Sequence, residues 1–247
     1  MHRAPRRRDG AGHLVVPEFV SEQCCESLLT AVERCRSRCP LPLVVRDDPG
    51  RPLRYVVIDG AVAARELPEL APLAEQVRSV AAATFDRPLV PFPDPRIAVN
   101  VNITPPGGEY RWHYDRNPVT GIVYLNAVAG GAIELCPSYR LPTLPGAAGE
   151  TAAGLTLRRA LDSVAAAGPL RRTLGRPLSV DPSPGTLVLM RGDRCLHRVQ
   201  PVAGDHDRIC AVFAYDDPSP AARRRPALDR YLYSGERCQA SDPNYRH

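Results

Sequence analysis

Four side chains carry the chemistry this sequence can be read for: His113 and Asp115 in the run W-H-Y-D, His197 in L-H-R-V, and Arg208 in D-R-I-C. Two imidazoles and one carboxylate can occupy one face of an octahedral Fe(II), leaving the other positions for a chelating co-substrate and for O2. An arginine beyond the second histidine can then pair with a carboxylate of that co-substrate through charge-assisted, planar hydrogen bonds. An H-x-D triplet is a weak signature by itself; the second histidine on a late strand and the arginine after it make a set. On an extended segment His113 and Asp115 share parity, so both point to one side while Trp112 and Tyr114 point to the other. Arg111 has the parity of His113 and could meet an acidic substrate group or solvent. His206 lies in a polar G-D-H-D turn, and His2, His13 and His247 lie near the ends, so none of them joins the set.

The elements that must position this quartet can be read from periodicity. An apolar run at 14–20 ends at Ser21, a good helix N-cap with Glu22 in the first turn. Cys25, Leu28, Leu29 and Val32 recur at helical spacing, and Pro40 marks the stop. Residues 53–58 read as a strand closed by Asp59-Gly60, and Leu70, Leu73, Ala74, Val77, Val80 and Ala81 predict a helix over 69–84 packed on a sheet. From Arg96 onward short β-type runs follow one another at 97–103, 109–114, 120–126, 132–136, 186–190, 196–202 and 208–215. Pro, Gly and Asp punctuate them in the manner of an antiparallel barrel or jelly roll. Gly130-Gly131 falls between two of these strands with no helix after it, so it reads as a tight turn rather than a phosphate loop. Glu134 on the next strand receives no role.

The expected organisation is one β-rich domain with flanking helices. A disordered basic N-terminus covers 1–12, an N-terminal helical and β border of the same domain covers 13–95, a core covers 96–217, and a C-terminal extension covers 218–247. The stretch 137–184 is too long for a hairpin loop and carries a helix-like pattern near 151–167, so it is expected to be an insertion that acts as a lid.

Composition narrows the partners. The net charge is +5, and all 32 basic residues are arginine. Together with abundant Ala, Pro and Gly this reflects a GC-rich bacterial coding sequence rather than selection for phosphate binding. The basic clusters at 3–8, 171–172 and 223–225 lack interleaved aromatics, which argues against nucleic acid. The eight cysteines (24, 25, 35, 39, 136, 195, 210 and 238) form no C-x-x-C pair, and no signal-like apolar stretch follows the basic start. They are read as reduced, core-filling thiols of a cytoplasmic protein. No apolar run reaches membrane-spanning length. Monomer and homodimer both remain open.

With W-H-Y-D, T-G-I-V-Y-L-N, G-G-A-I-E-L, P-G-T-L-V-L-M and L-H-R-V-Q-P-V followed by Arg208, the chain resembles the Fe(II)/2-oxoglutarate-dependent oxygenases of double-stranded β-helix (jelly-roll, cupin-like) fold, nearest their prolyl-hydroxylase-like branch. The resemblance spans about 97–215. It implies iron ligands at His113, Asp115 and His197, with Arg208 holding the distal carboxylate of 2-oxoglutarate. Tyr124 matches a tyrosine that bonds the same carboxylate, and Asn102 stands near a polar co-substrate contact. Val212 replaces the hydroxyl residue that some relatives carry four positions after the arginine, and the 137–184 stretch has no counterpart in them.

Related halogenases carry a small residue where this chain has Asp115, so the resemblance implies hydroxylation, with succinate and CO2 as co-products and ascorbate as a possible stimulant. Desaturation, epoxidation and cyclisation use the same cofactor set. The expected substrate is a small amino-acid-like molecule or biosynthetic intermediate of natural-product type. Two competing readings are a cupin-like metal isomerase or dioxygenase without 2-oxoglutarate, which gives Arg208 no reason to face the site, and a non-catalytic nucleic-acid- or peptide-binding barrel.

Overall fold

A computed structural model describes residues 12–46, 53–136, 177–218 and 231–234. In chain order they form β1 (His13–Val16), α1 (Glu22–Arg38), β2 (Leu43–Arg46), β3 (Leu53–Ile58), α2 (Gly60–Glu66), α3 (Leu70–Phe85), β4 (Val90–Pro91), α4 (Pro95–Ala98), β5 (Val99–Thr104) and β6 (Tyr110–His113). There follow β7 (Val119–Tyr124), β8 (Ile133–Cys136), β9 (Leu178–Val180), β10 (Leu187–Met190), β11 (Leu196–Val199), β12 (Arg208–Asp216) and α5 (Tyr231–Ser234).

All pairings are antiparallel, in the order β1-β10-β7-β12-β5-β3-β6-β11-β8-β9, with β2 on β3 and β4 on β12. The sheet is curled into a double-stranded β-helix: β6, β11, β8 and β9 form one wall, and the longer set around β7, β12 and β5 forms the other. The hinge between the walls is a single pairing, Leu53 with Tyr110.

Alternation along the strands sorts the side chains into two layers. On β12, Ala211, Phe213 and Tyr215 join a core with Leu28 and Val32 of α1 and Leu73 and Val77 of α3. Cys210, Val212 and Ala214 turn the other way, toward the space between the walls. Ser21 caps α1 by accepting from Cys24 N, as expected. Tyr215 clamps the helix layer to the sheet by donating from its hydroxyl to Ala74 O at 2.6 Å. Five cysteines, at 25, 35, 136, 195 and 210, are buried and fill core space. No described helix is long and apolar enough to cross a membrane.

Several local expectations are corrected. Asp59-Gly60 does not simply close β3: the Asp59 carboxylate accepts from Ala61 N and Val62 N and caps α2. The strand expected from 97 begins at Val99, because Asp94 caps the short α4 over Pro95–Ala98. Leu178–Val180, inside the stretch expected as an insertion, is β9 and pairs with β8. The helix expected near 151–167, the basic clusters at 3–8, 171–172 and 223–225, and Cys238 lie outside the described residues.

Phe213 is fully buried between the sheet and its helix layer. Phe213→Ala should lower unfolding stability by about 3–5 kcal/mol, read from the urea midpoint at unchanged slope. A loss below about 1 kcal/mol would contradict this packing.

Candidate metal centre

His197 and His113 are direct partners in the register of β11 and β6. Their rings lie 4.1 Å apart, tilted by 53°. Each Nδ1–H donates to the backbone carbonyl two residues earlier: His113 to Arg111 O at 2.6 Å and His197 to Cys195 O at 2.9 Å. Spending the Nδ1 protons this way leaves both Nε2 lone pairs free to ligate. Asp115 Oδ1 stands 3.5 Å from each Nε2, and one ligand atom from each of the three residues falls within 4.8 Å of the others.

Backbone and side-chain contacts hold Asp115 in place. Its backbone N–H donates to Gly192 O at 2.9 Å. Its Oδ2 accepts from the Thr120 hydroxyl, and Thr120 Oγ1 accepts in turn from Asn117 Nδ2 at 2.8 Å. Gly192 is required for this approach, since a Cβ there would meet Asp115 Cβ at 2.8 Å and Asn117 O at 2.7 Å.

Burial opposes ionisation of Asp115, but His197 and His113 outweigh it and hold the carboxyl well below the usual carboxylate range. Burial, then the neighbouring His197, pushes His113 down toward the neutral form that a ligand needs. His197 is drawn the other way, because Asp115 raises its pKa against the effect of burial. An anionic oxygen beside two imidazole nitrogens on one face is the donor set of the two-histidine, one-carboxylate iron sites, so these residues fit a divalent metal.

Arg208 enters the same cavity from the start of β12. It is 2% exposed, and its Nε and Nη2 find no hydrogen-bond partner among the described residues. Nη1 reaches Cys210 Sγ at 3.4 Å, and the guanidinium lies 4.9 Å from the centre of the Tyr124 ring. Burial holds the Tyr124 phenol above its ordinary pKa against the pull of Arg208, so the hydroxyl stays a donor. Asn102, opposite Cys210 in the β5–β12 register, lines the same cavity. Gly131 has φ +64°, and a Cβ on it would meet Arg208 Cδ at 2.8 Å, so the turn that contains it also makes room for the guanidinium stem. A buried, under-bonded guanidinium in a cleft fits a carboxylate ligand.

No family model matches the sequence, and no curated protein does. Solved structures do match the fold. A prolyl-4-hydroxylase from Pseudomonas putida superposes with a TM-score of 0.53 at 16% identity, over 85% of this chain and 94% of that one. The non-heme alpha-ketoglutarate-dependent carbocyclase SnoK of nogalamycin biosynthesis gives 0.62 at 16%, over 84% and 80%. HygX from Streptomyces hygroscopicus, solved with nickel and 2-oxoglutarate bound, gives 0.56 at 17%, over 84% of each chain. The chain has the fold of the Fe(II)/2-oxoglutarate-dependent oxygenases. At these identities the likeness is one of fold, and the site must be argued from its own residues.

Within this oxygenase fold, the parity expected for W-H-Y-D holds only in part. Between Val199↔Tyr110 and His197↔His113 the register shifts: two steps along β11 face three along β6. Such a bulge turns a strand by one residue, so Tyr110 and His113 both line the cavity while Arg111 is exposed outside it. Tyr110 stacks on His113 with ring centres 4.0 Å apart and planes 25° from parallel. Tyr114, expected to point away with Trp112, borders the cavity because the strand ends at His113. Trp112 does face outward, under Arg198, whose guanidinium pairs with Glu134. Glu134 thus belongs to an ion pair also joined by Gln200 at 2.8 Å.

Thr120 and Asn117, which restrain Asp115, carry no sequence signature beyond their nearness to it. Thr120→Val should weaken Fe(II) or Co(II) binding by about 10- to 100-fold in anaerobic calorimetry, while Thr120→Ser restores it. Equal affinity in the valine variant would remove Thr120 from the site.

Proposed function

We propose that the protein is an Fe(II)- and 2-oxoglutarate-dependent oxygenase that hydroxylates an unactivated C–H bond of a small molecule, such as an amino-acid-like compound or a biosynthetic intermediate. The observation that carries this reading is one cavity holding both the convergent His113, Asp115 and His197 and the under-bonded, buried Arg208. His113 and His197 would bind iron through Nε2 and Asp115 through Oδ1. Arg208 would hold the distal carboxylate of 2-oxoglutarate, with the Tyr124 hydroxyl and the Asn102 amide as further contacts. Bound iron supplies the redox chemistry of the net reaction, in which substrate C–H, O2 and 2-oxoglutarate become substrate C–OH, succinate and CO2.

The chain's own groups do the positioning. The two Nδ1–H donors fix the imidazole tautomers, and Thr120 keeps Asp115 Oδ2 occupied so that Oδ1 faces the histidines. With Asp115 filling the carboxylate position, the halogenase-like pattern does not apply. SnoK is a carbocyclase on this same fold, and ring closure, desaturation or epoxidation would leave every role assigned above unchanged. A cupin-like isomerase without 2-oxoglutarate would leave the Arg208 guanidinium buried with no anion to meet, which disfavours that reading.

Titrating 2-oxoglutarate into the anaerobic Fe(II) protein should raise a visible charge-transfer band, and O2 should then yield succinate. His197→Ala should abolish both. Arg208→Ala should raise the 2-oxoglutarate Kd by about 10- to 100-fold, the equivalent of one or two charged hydrogen bonds, with metal affinity retained. Absence of the band in the native protein, or an unchanged Kd in Arg208→Ala, would overturn the assignment.

A further inference from the structure

The cavity continues past the metal ligands. Its β12 lining runs from Arg208 through Cys210 and Val212 to Ala214, about 20 Å at about 3.3 Å per residue. A five-carbon dicarboxylate, at roughly 1.5 Å per bond, spans less than half of that. Ala214 pairs with Thr120, the residue bonded to Asp115, so the remaining space opens directly beside the metal ligands.

Its walls differ in kind from the Arg208 end. Phe92, Ile97 and Ala214 form one buried apolar cluster, and Tyr55 and Leu232 belong to another; Tyr233 packs against both. All of these line the cavity. Tyr55 and Tyr110 stack with planes 21° apart, which continues the Tyr110–His113 stack away from the metal. The short α5 is tied down by Tyr55, whose hydroxyl donates to Leu232 O at 2.8 Å. None of these aromatic and aliphatic side chains is charged at neutral pH; Glu109 and Arg116 line the cavity as well. Of the amides here, Asn117 commits Nδ2 to Val119 O at 2.6 Å and to Thr120 Oγ1 at 2.8 Å, which leaves its carbonyl oxygen as an acceptor.

We propose, on the oxygenase reading above, that this end is the substrate subsite, that it takes a planar ring bearing a hydroxyl, and that Tyr233 is its specificity-determining wall. A stack of near-parallel rings presents edges to a ligand, and edge-to-face contact favours a flat π surface over an aliphatic chain of equal area. A hydroxyl has an acceptor in Asn117.

The test uses two probes, 6-fluoro-2-naphthol and 8-fluoro-1-octanol, titrated into the full-length protein and followed by 19F line broadening, first without metal and then with Fe(II) and 2-oxoglutarate under anaerobic conditions. The naphthol should bind at least fivefold more tightly than the octanol, with extra broadening when the paramagnetic iron is present. Tyr233→Phe should keep that preference and Tyr233→Leu should abolish it. Tyr55→Phe, which removes only the tie to Leu232, should weaken naphthol binding several-fold. Equal binding of the two probes, naphthol binding without iron-dependent broadening, or an unchanged preference in Tyr233→Leu would each overturn the subsite. Absence of the 2-oxoglutarate band with naphthol selectivity intact would instead overturn the oxygenase reading alone.

Discussion

His113 and His197 face each other across β6 and β11, and the rest of the centre depends on that pairing. Opposed residues in an antiparallel pair hold their Cβ atoms about 4.5–5.5 Å apart, so two imidazoles placed there converge with little rotameric search. Backbone carbonyls two residues back on each strand then take the Nδ1 protons. The carbonyl that orients each ligand therefore lies just upstream on the same chain segment, Arg111 within β6 and Cys195 immediately before β11, and misregistration of β6 by one residue would turn His113 to the opposite face. Asp115 is delivered by the turn after β6, where Gly192, Thr120 and Asn117 close round it. Geometry at the metal is thus inherited from the ladder that closes the smaller wall of the double-stranded β-helix.

Arg208 is the complementary constraint. A guanidinium that is 2% exposed with two nitrogens lacking partners among the described residues is costly to the folded state. The Tyr124 face and the Cys210 sulfur offset part of that cost. An anion entering the cavity would relieve the remainder. A ligand that supplies the missing acceptors would bind the folded chain and not the unfolded one, so its binding and stability would be linked. This explains why Gly131, remote from the metal, matters to the site: its backbone leaves room for the arginine stem.

Much of this was legible in the sequence because it rests on local pattern. Alternation marked the core strands, Ser21 announced α1, and the ligand types with a late arginine pointed to one kind of chemistry. What escaped was set by non-local geometry. The bulge that brings Tyr110 beside His113 is a property of the β6–β11 pair, not of β6, and simple parity placed Arg111 there instead. Asp59 read as the close of a strand until the helix it caps was in view, and the Asp94 cap of α4 had no reading from pattern at all. β9 was hidden because three residues, L-S-V, become a strand only when β8 offers an edge. The part of Tyr233 could not be foreseen either, since nothing in Y-L-Y-S says that it lies against β3 and α4.

The two ends of the cavity differ in what lines them rather than being divided by a wall. Along one face of β12 the lining passes from a cation to a thiol to aliphatic groups. A dianionic acid gains at the Arg208 end, where a buried guanidinium offers unused donors, whereas a flat ring gains against the aromatic groups beside Ala214. Two small molecules can therefore share one continuous space in a fixed order, each favoured by what its own end offers, with the histidines and Asp115 at the boundary where they would meet.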